Sequence, residues 1–399
     1  RVQYTGKNMS FGAASIAGKF ASDFALGSKI LAPFYPEFAA KIGAKAKDAY
    51  QLGVDKPGNS QTCSIVDRYI YEETNWVDDM ELGAMELYRQ TGDRRYIDEA
   101  ILYGRQEPVT PWMGADSARH YQWYPFINLG HYLLAASEEE EIRTEFAGYM
   151  KQGLEDMRQR AGEDPFMNGV PYLWCSNNLT SAAMTQAQLY RRATGDDEYL
   201  EMETAHRDWL LGCNPWGCTM ISGIPEDIEE GYHSPTQSST GRKGIAGGLV
   251  DGPINTALYE DRIGVHLTKE DEFALFNNGV AVYHDDGGDY SSNEPTIDGT
   301  CSLAYYFSFL ESEGIQIFQG YKAENIPGDA DLIVIGNAMS RGNAEVEAVL
   351  ERGLRYMSLP ETMKEFFLWG HRNFVVTGTH GKTTTTSMLA WLMEANNLN

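Results

Sequence analysis

The sequence has little cysteine, no long hydrophobic run and a shortage of positive charge. Its five cysteines (Cys63, Cys175, Cys213, Cys218 and Cys301) are too few and too scattered for a disulfide framework. Cys213 and Cys218 lack a second pair to complete a metal site, so no metal centre is expected and buried free thiols are. No apolar stretch reaches the about 18 residues that a membrane-spanning helix needs. Lysine and arginine total 32 against 57 aspartate and glutamate, a net charge of −25 that argues against nucleic acid as a partner. The chain opens at Arg1 with neither an initiator methionine nor a signal-like segment, which suggests a removed N-terminus or a fragment. What is present rules out global disorder: 42% of the residues are hydrophobic, and 23 tyrosines and 8 tryptophans can fill cores. A length of 399 residues suggests two or three domains.

Residues 10–210 read as helices joined by turns. Positions 11–31 carry apolar residues at three- and four-residue spacing, with Ala and Gly permitting close approach. Leu87-Tyr-Arg-Gln-Thr-Gly-Asp93 followed by Tyr96 resembles Leu189-Tyr-Arg-Arg-Ala-Thr-Gly-Asp196 followed by Tyr199. Each reads as a helix stopped at Gly and a new one opened by Asp. Further helices are expected at 127–137 and 143–159. Repeated hairpins without a short fixed period suggest helices stacked around a centre, with an irregular solenoid as the alternative.

Between the helices run aromatic, Gly- and Asn-rich loops: 112–124, 174–178 and 214–217. Residues 222–300 read mostly as loop, with a short helical stretch near 269–277. Loops this long are commonly functional. Trp, Tyr, Asp and Asn on such loops suit a sugar, whose ring faces stack on aromatics while amides and carboxylates bind its hydroxyls. Within 285–294 stand four carboxylates, Asp285, Asp286, Asp289 and Glu294. Like charges so crowded raise at least one pKa, which would suit a proton donor for glycosidic cleavage. A calcium loop and a solvated acidic turn are the alternatives; the spacing is not that of an EF-hand.

Residues from about 10 to 306 resemble the family-nine glycoside hydrolases, inverting cellulase-type enzymes with an (α/α)6 barrel. The resemblance rests on the Leu-Tyr-Arg…Gly-Asp segments, Trp209-Leu-Leu-Gly-Cys-Asn-Pro-Trp-Gly217, Gly247-Gly-Leu-Val-Asp-Gly-Pro253 and Asp289-Tyr-Ser-Ser-Asn-Glu294. It implies a β-glucan oligosaccharide or polysaccharide as partner, no cofactor, and Glu294 as general acid. Asp289, grouped with it as catalytic, and Tyr290 would shape the site around the scissile sugar. His233, in Gly-Tyr-His-Ser-Pro, falls where the family places a substrate-binding histidine, although the family's His-His-Arg run is absent and Arg242 is at best a substitute. Trp123, Trp174 and Trp216 are the candidate stacking rings. Inversion needs a second carboxylate, about 6.5–9.5 Å from the acid. The family supplies it from an Asp-Ala-Gly-Asp-like motif that no segment here matches. Asp78 and Asp79 match the opening of a family helix and are expected to face solvent or cap it. The expectation is that the base lay upstream of Arg1, leaving the chain impaired and some barrel core exposed.

Beyond about residue 310 the grammar turns to α/β. Strands are expected at 315–318, 331–336 and 372–378, and helices at 342–352 and 387–394. The charge divides unevenly too: 311–399 holds 7 basic and 11 acidic residues, a net of −4, which leaves −21 for 1–310. Gly378, Thr379, His380, Gly381, Lys382, Thr383 and Thr384 follow a strand and open a helix, as a phosphate loop does, with a Thr-rich helix cap as the alternative. Val376 stands where the strict pattern wants Gly. From about Phe309 the chain resembles the Mur ligases, on Gly320-Tyr-Lys-Ala-Glu-Asn-Ile326, Val334-Ile-Gly-Asn-Ala-Met-Ser-Arg-Gly-Asn343 and Val376–Thr384. That resemblance implies ATP and Mg²⁺, with Lys382 at the phosphates and Thr383 on the metal.

The expected fold is therefore mainly α: an (α/α)6-barrel-type toroid, truncated at its N-terminus, followed by a partial α/β Mur-ligase-like segment. Expected boundaries are 1–308, 309–370 and 371–399. A secreted or periplasmic hydrolase joined to a cytoplasmic ligase shares no compartment, so a recombined reading frame joined near 306–310 is the expectation.

Overall fold

The computed structural model describes residues 11–60, 75–114, 126–224, 232–234, 246–261, 264–277, 279–312, 314, 321–335, 341–358, 361–362 and 364–369. The chain divides into two units, 1–306 and 307–399.

The first unit is built from helical pairs. α1 (Ala14–Leu31) buries Ala14, Ala17, Gly18, Ala21 and Ala25 along one stripe. Small side chains there let it lie close to α2 (Pro36–Asp55) and α3 (Val77–Thr91). At Gly18 an added Cβ would fall 2.5 Å from the Asp79 carbonyl oxygen. α3 stops at Gly92, whose φ of 71° is the left-handed conformation that Gly adopts without strain. Asp93 then caps α4 (Arg94–Gly104) by accepting the Arg95 N–H. After α5 (Pro111–Gly114) come α6 (Leu129–Ala135), capped by Asn128, and α7 (Glu140–Ala161). α8 (Ser176–Thr194) and α9 (Leu200–Leu210) repeat the α3–α4 pattern, again with a left-handed Gly at 195. The copy is imperfect. Asp196 accepts from the Tyr190 hydroxyl and the Glu198 N–H, and the helix begins only at Leu200.

α1, α3, α6 and α8 touch one another in that order, and each carries a partner in α2, α4, α7 and α9. These are the paired shells of an α/α toroid rather than a solenoid. α8 is buried along most of its length, as an inner helix must be. On α1, α2 and the residues beside them, Phe11, Phe20, Ile30, Phe34, Tyr35 and Phe38 are exposed.

Two expectations for this unit are corrected. Asp78 and Asp79 are buried, not solvent-facing: Asp79 pairs with Lys19 at 2.7 Å and Asp78 accepts from Asn75. Of the described cysteines only Cys175 is buried, while Cys213 and Cys301 are exposed.

The connection from α9 to residue 296 is a loop layer fastened by short pairings. β1 (Ile254–Asn255) runs antiparallel to β2 (Ala281–Val282), and single bridges join Ile221 to Leu249 and Val250 to Pro295. α10 (Thr256–Glu260) lies between them, unforeseen because it is five residues long. The expected helix at 269–277 is a set of turns. Asp271 accepts the Phe273 N–H, and the Asn277 amide bonds Asp271 and the Tyr283 carbonyl, local partners that compete with helix propagation. α11 (Ile297–Ser312) closes the unit, with the Tyr306 hydroxyl donating to Glu203 of α9.

In the second unit β3 (Ile333–Ile335) pairs in parallel with β4 (Tyr356–Ser358), and α12 (Ala344–Glu351) is the connecting helix. Asn343 caps α12 by accepting the Glu345 and Val346 N–H groups. The strand expected at 331–336 and the helix expected at 342–352 are both present. β4 was not foreseen, being three residues without a readable alternation. The segments 315–318, 372–378 and 387–394 lie outside the described residues.

Candidate active site

The acidic loop is organised from within by Asp289. This carboxylate is fully buried, and its oxygens accept from the His284 ring (2.8 Å), the Ser292 hydroxyl (2.8 Å), and both the N–H (2.8 Å) and hydroxyl (2.6 Å) of Ser291. Burial would raise its pKa, but these donors outweigh burial and hold it below the ordinary value. Asp286 is treated alike, by the N–H groups of Thr268, Lys269 and Gly288 and the Thr268 hydroxyl. Asp289 therefore braces the loop, and it does not present a carboxylate to a substrate as its grouping with Glu294 implied. The crowding argument holds in part. Asp285 and Glu294 are raised first by burial; the acids Glu272 and Asp286 add to the rise at Asp285, and none does at Glu294.

Glu294 is half-buried, as are Trp174, Tyr290 and His233. Trp174 and Tyr290 lie 5.9 Å apart between ring centroids, and Tyr290 meets the His233 ring edge-on at 6.1 Å. His233 is fixed twice: its N–H donates to the Asn293 carbonyl and its Nδ1 to the Gly287 carbonyl at 2.9 Å. A carbonyl can only accept, so Nδ1 carries a proton. Burial raises the Glu294 pKa and the charge of His233 opposes that rise. The structure thus brings four of the expected residues together: an acid and three rings.

The other candidates fall elsewhere. Trp216 is only 7% exposed, donates to the Asn277 side chain at 2.9 Å, and packs edge-on against Trp209 and Tyr283. It is core, because the Asn-Pro-Trp-Gly turn around Asn214 folds it inward. Trp123, Arg242 and the phosphate-loop candidates Gly378, Thr379, His380, Gly381, Lys382, Thr383 and Thr384 lie outside the described residues.

One residue was missed as chemistry although its motif was noticed. Asp251 is fully buried, and its oxygens accept from the Trp174 indole N–H (3.1 Å) and the Cys175 thiol (2.8 Å). Its main chain bonds the Glu294 carbonyl. Burial drives its pKa well up, and the neighbouring Glu294 adds to this. An Asp set between Leu249-Val250 and Gly252-Pro253 was the available signal, because apolar flanks predict burial and a buried carboxyl needs donors.

Comparison with known proteins fits this geometry. Residues 296–368 match the family model for the Mur ligase family, catalytic domain. Over 87 residues the chain is 48% identical to the UDP-N-acetylmuramate–L-alanyl-γ-D-glutamyl-meso-2,6-diaminoheptandioate ligase of Escherichia coli, covering 22% of this chain and 19% of that one. The chain therefore spans about a fifth of that relative's length. The fold resembles a metagenome-derived glycoside hydrolase family 9 endoglucanase, with a TM-score of 0.58 at 20% identity, over 75% of this chain and 52% of that one. It also resembles a family 9 protein of Bacteroides ovatus, with a TM-score of 0.57 at 20% identity, over 76% and 54%. At such identity the likeness speaks for the fold. Residues 1–307 match the model of glycosyl hydrolase family 9, and the chain belongs to that family.

Proposed function

We propose that the Glu294 site acts on β-1,4-glucosidic bonds of cellulose or a related β-glucan, with inversion and with Glu294 as general acid. The observation that carries this is a half-buried carboxyl, raised by burial, at the edge of a wall made by Trp174, Tyr290 and His233. A carboxyl raised by burial keeps its proton to higher pH than a solvated one and can deliver it to a departing glycosidic oxygen. Pyranose faces stack on the rings, and the second ring nitrogen of His233, which has no hydrogen bond among the described residues, can bond a hydroxyl. The solved neighbour described as an endoglucanase supports the same substrate class.

Inversion also asks for a carboxylate that activates water. Asp251 and Asp289, both close to Glu294 in the loop layer, are fully buried and bonded, so neither meets water. These two do not serve as the base, and with no Asp-Ala-Gly-Asp-like motif in the sequence we take turnover by this chain to be weak beside its binding of glucan. Hydrolysis of cellotetraose by the wild type and by Glu294→Gln tests the acid. The variant is expected to bind the oligosaccharide in calorimetry and to lose about 100- to 10,000-fold in rate. Equal rates in the two proteins would remove Glu294 from the mechanism.

A second reading belongs to the far end: Gly378–Thr384 lies beyond the Mur ligase match at 296–368, and its phosphate-loop pattern together with the similarity to the ligase relative supports nucleotide-phosphate binding with ATP and Mg²⁺. Heat on mixing with Mg·ATP that Lys382→Ala abolishes is the expected result. No heat from the wild-type chain would dismiss this reading.

A further inference from the structure

We propose that Asp251 is a positioning residue that holds the Trp174 ring as the glucan-stacking wall beside Glu294. The inference rests on the glucan-binding reading and adds to it the group that sets the wall's orientation.

Asp251 is where three parts of the fold meet. Its Oδ2 accepts the Trp174 indole N–H at 3.1 Å, and its Oδ1 accepts the Cys175 thiol at 2.8 Å. Its carbonyl accepts the Asn177 N–H at the first turn of α8, and its own N–H donates to the Glu294 carbonyl, each at 2.9 Å. One residue thus ties the aromatic wall, an inner helix and the backbone of the acid. The surrounding turn has little freedom. Gly252 holds a φ of 83°, and a Cβ there would meet the Asn177 side chain at 2.2 Å. The Ser176 hydroxyl donates to the Pro253 carbonyl at 2.7 Å. Cys175, at a φ of 60°, takes a left-handed conformation that costs a non-glycine residue energy. That conformation places consecutive side chains, Trp174 and Cys175, on the two oxygens of one carboxyl.

An indole held only by packing can rotate about its side-chain bonds. Bound through its N–H to a buried carboxyl, it presents one face. A β-linked glucan offers flat, C–H-rich pyranose faces, and such a ligand gains from a wall whose angle is already set. With Tyr290 5.9 Å away and His233 beyond it, the wall continues towards the acid.

The full chain, labelled with ¹⁵N at the tryptophan indoles, tests this. The Trp174 indole signal is identified by its loss in Trp174→Phe. In the wild type its N–H is expected to exchange slowly with water; exchange as fast as that of a free indole would overturn the proposal without any variant. In Asp251→Asn the signal is expected to move and the exchange to quicken, while affinity for cellotetraose falls about tenfold. Trp174→Phe is expected to lose a similar factor, and the double variant no more than either alone, because both remove one linkage. A general weakening of the fold would instead make the losses add, which would overturn the positioning role. Affinity lowered by Trp174→Phe but not by Asp251→Asn would overturn it as well. A wild-type chain that bound no cellotetraose would sink the glucan reading itself, a different failure recognisable from the first titration.

Discussion

In the loop 283–294, Asp286 and Asp289 face backbone N–H groups, hydroxyls and the His284 ring, whereas at α3 and the turn after α4 the acids Asp78, Glu81 and Glu107 influence one another and Glu81 pairs with His131. The first arrangement holds both carboxylates low, whereas in the second Glu107 is raised. Burial pushes Glu107 up to about 8, helped by Asp78. His131 Nδ1 meets the Glu81 carboxyl at 2.7 Å and its Nε2 donates to the Pro108 carbonyl at 3.2 Å, an arrangement that favours the charged ring. Burial alone would lower its pKa, but Glu81 and the Pro108 carbonyl outweigh burial and raise it. The difference teaches that local chain geometry, more than the number of nearby acids, decides whether a buried carboxylate stays charged. The turns at Asp286 and Asp289 aim several N–H and hydroxyl donors at one oxygen pair, whereas Glu107, in the turn after α4, accepts from the Asn75 amide at 3.3 Å and burial outweighs that bond.

The hardest test of this contrast is His131→Ala. It strips Glu81 of its cation inside the helical core, and a loss of about 3–5 kcal/mol in urea unfolding is expected. A loss below about 1 kcal/mol would mean that Glu81 is protonated or reached by water. Next comes Asp289→Asn, expected to cost about 2–4 kcal/mol by leaving donors of His284 or the serines without an acceptor. The pH dependence should separate the regions. The folded pKa of Asp289 lies below its ordinary 3.8, so its contribution is present above that value and is lost as pH falls through the folded one. His131 is raised above 6.5, so its contribution is full below that value and is lost as pH rises through the folded one. Glu107 binds its proton more tightly folded than unfolded, so between about pH 4.5 and 8 it makes stability fall as pH rises. Glu107→Gln should flatten that slope and stabilise the chain at pH 8 by about 1–3 kcal/mol. A slope unchanged by the variant would break the comparison. Smallest is a contrast between the two helix-hairpin copies. Asp93→Ala is expected to cost about 1 kcal/mol as a lost cap, and Asp196→Ala less, because Asp196 caps no helix.

The helical pairs were legible in the sequence because their signals are local. The Ala and Gly stripe of α1 and the glycines at 92 and 195 act within a few residues of themselves. The nearness of Glu294 to Tyr290 and His233 was legible through the resemblance carried by Asp289–Glu294 and Gly231–Pro235, not through acid crowding, since burial is what raises Glu294. Asp251 was not, because its donors Trp174 and Cys175 stand 77 and 76 positions away and only the fold joins them. Trp216 misled for a different reason. The residue that stacks on sugars also fills cores, and the Asn214 turn that decides between these roles is a matter of backbone direction. Asp78 and Asp79 misled because carboxylates at a helix start usually meet solvent, and here Asp79 lies against Gly18 and Lys19 of α1 while Asp78 is buried beside Asn75 and Glu107.

The thiol of Cys175 gives the molecule a clock. Burial drives its pKa well above the ordinary value, with Asp251 adding to the rise, so as folded it is inert to alkylation. Cys213 and Cys301 are exposed and react from the start, which makes them an internal zero of time. Cys175 can be labelled only in the moments when the start of α8 parts from the 251–253 turn. Its slow modification under native conditions therefore counts those openings one molecule at a time, and reads how often the wall beside Glu294 comes loose.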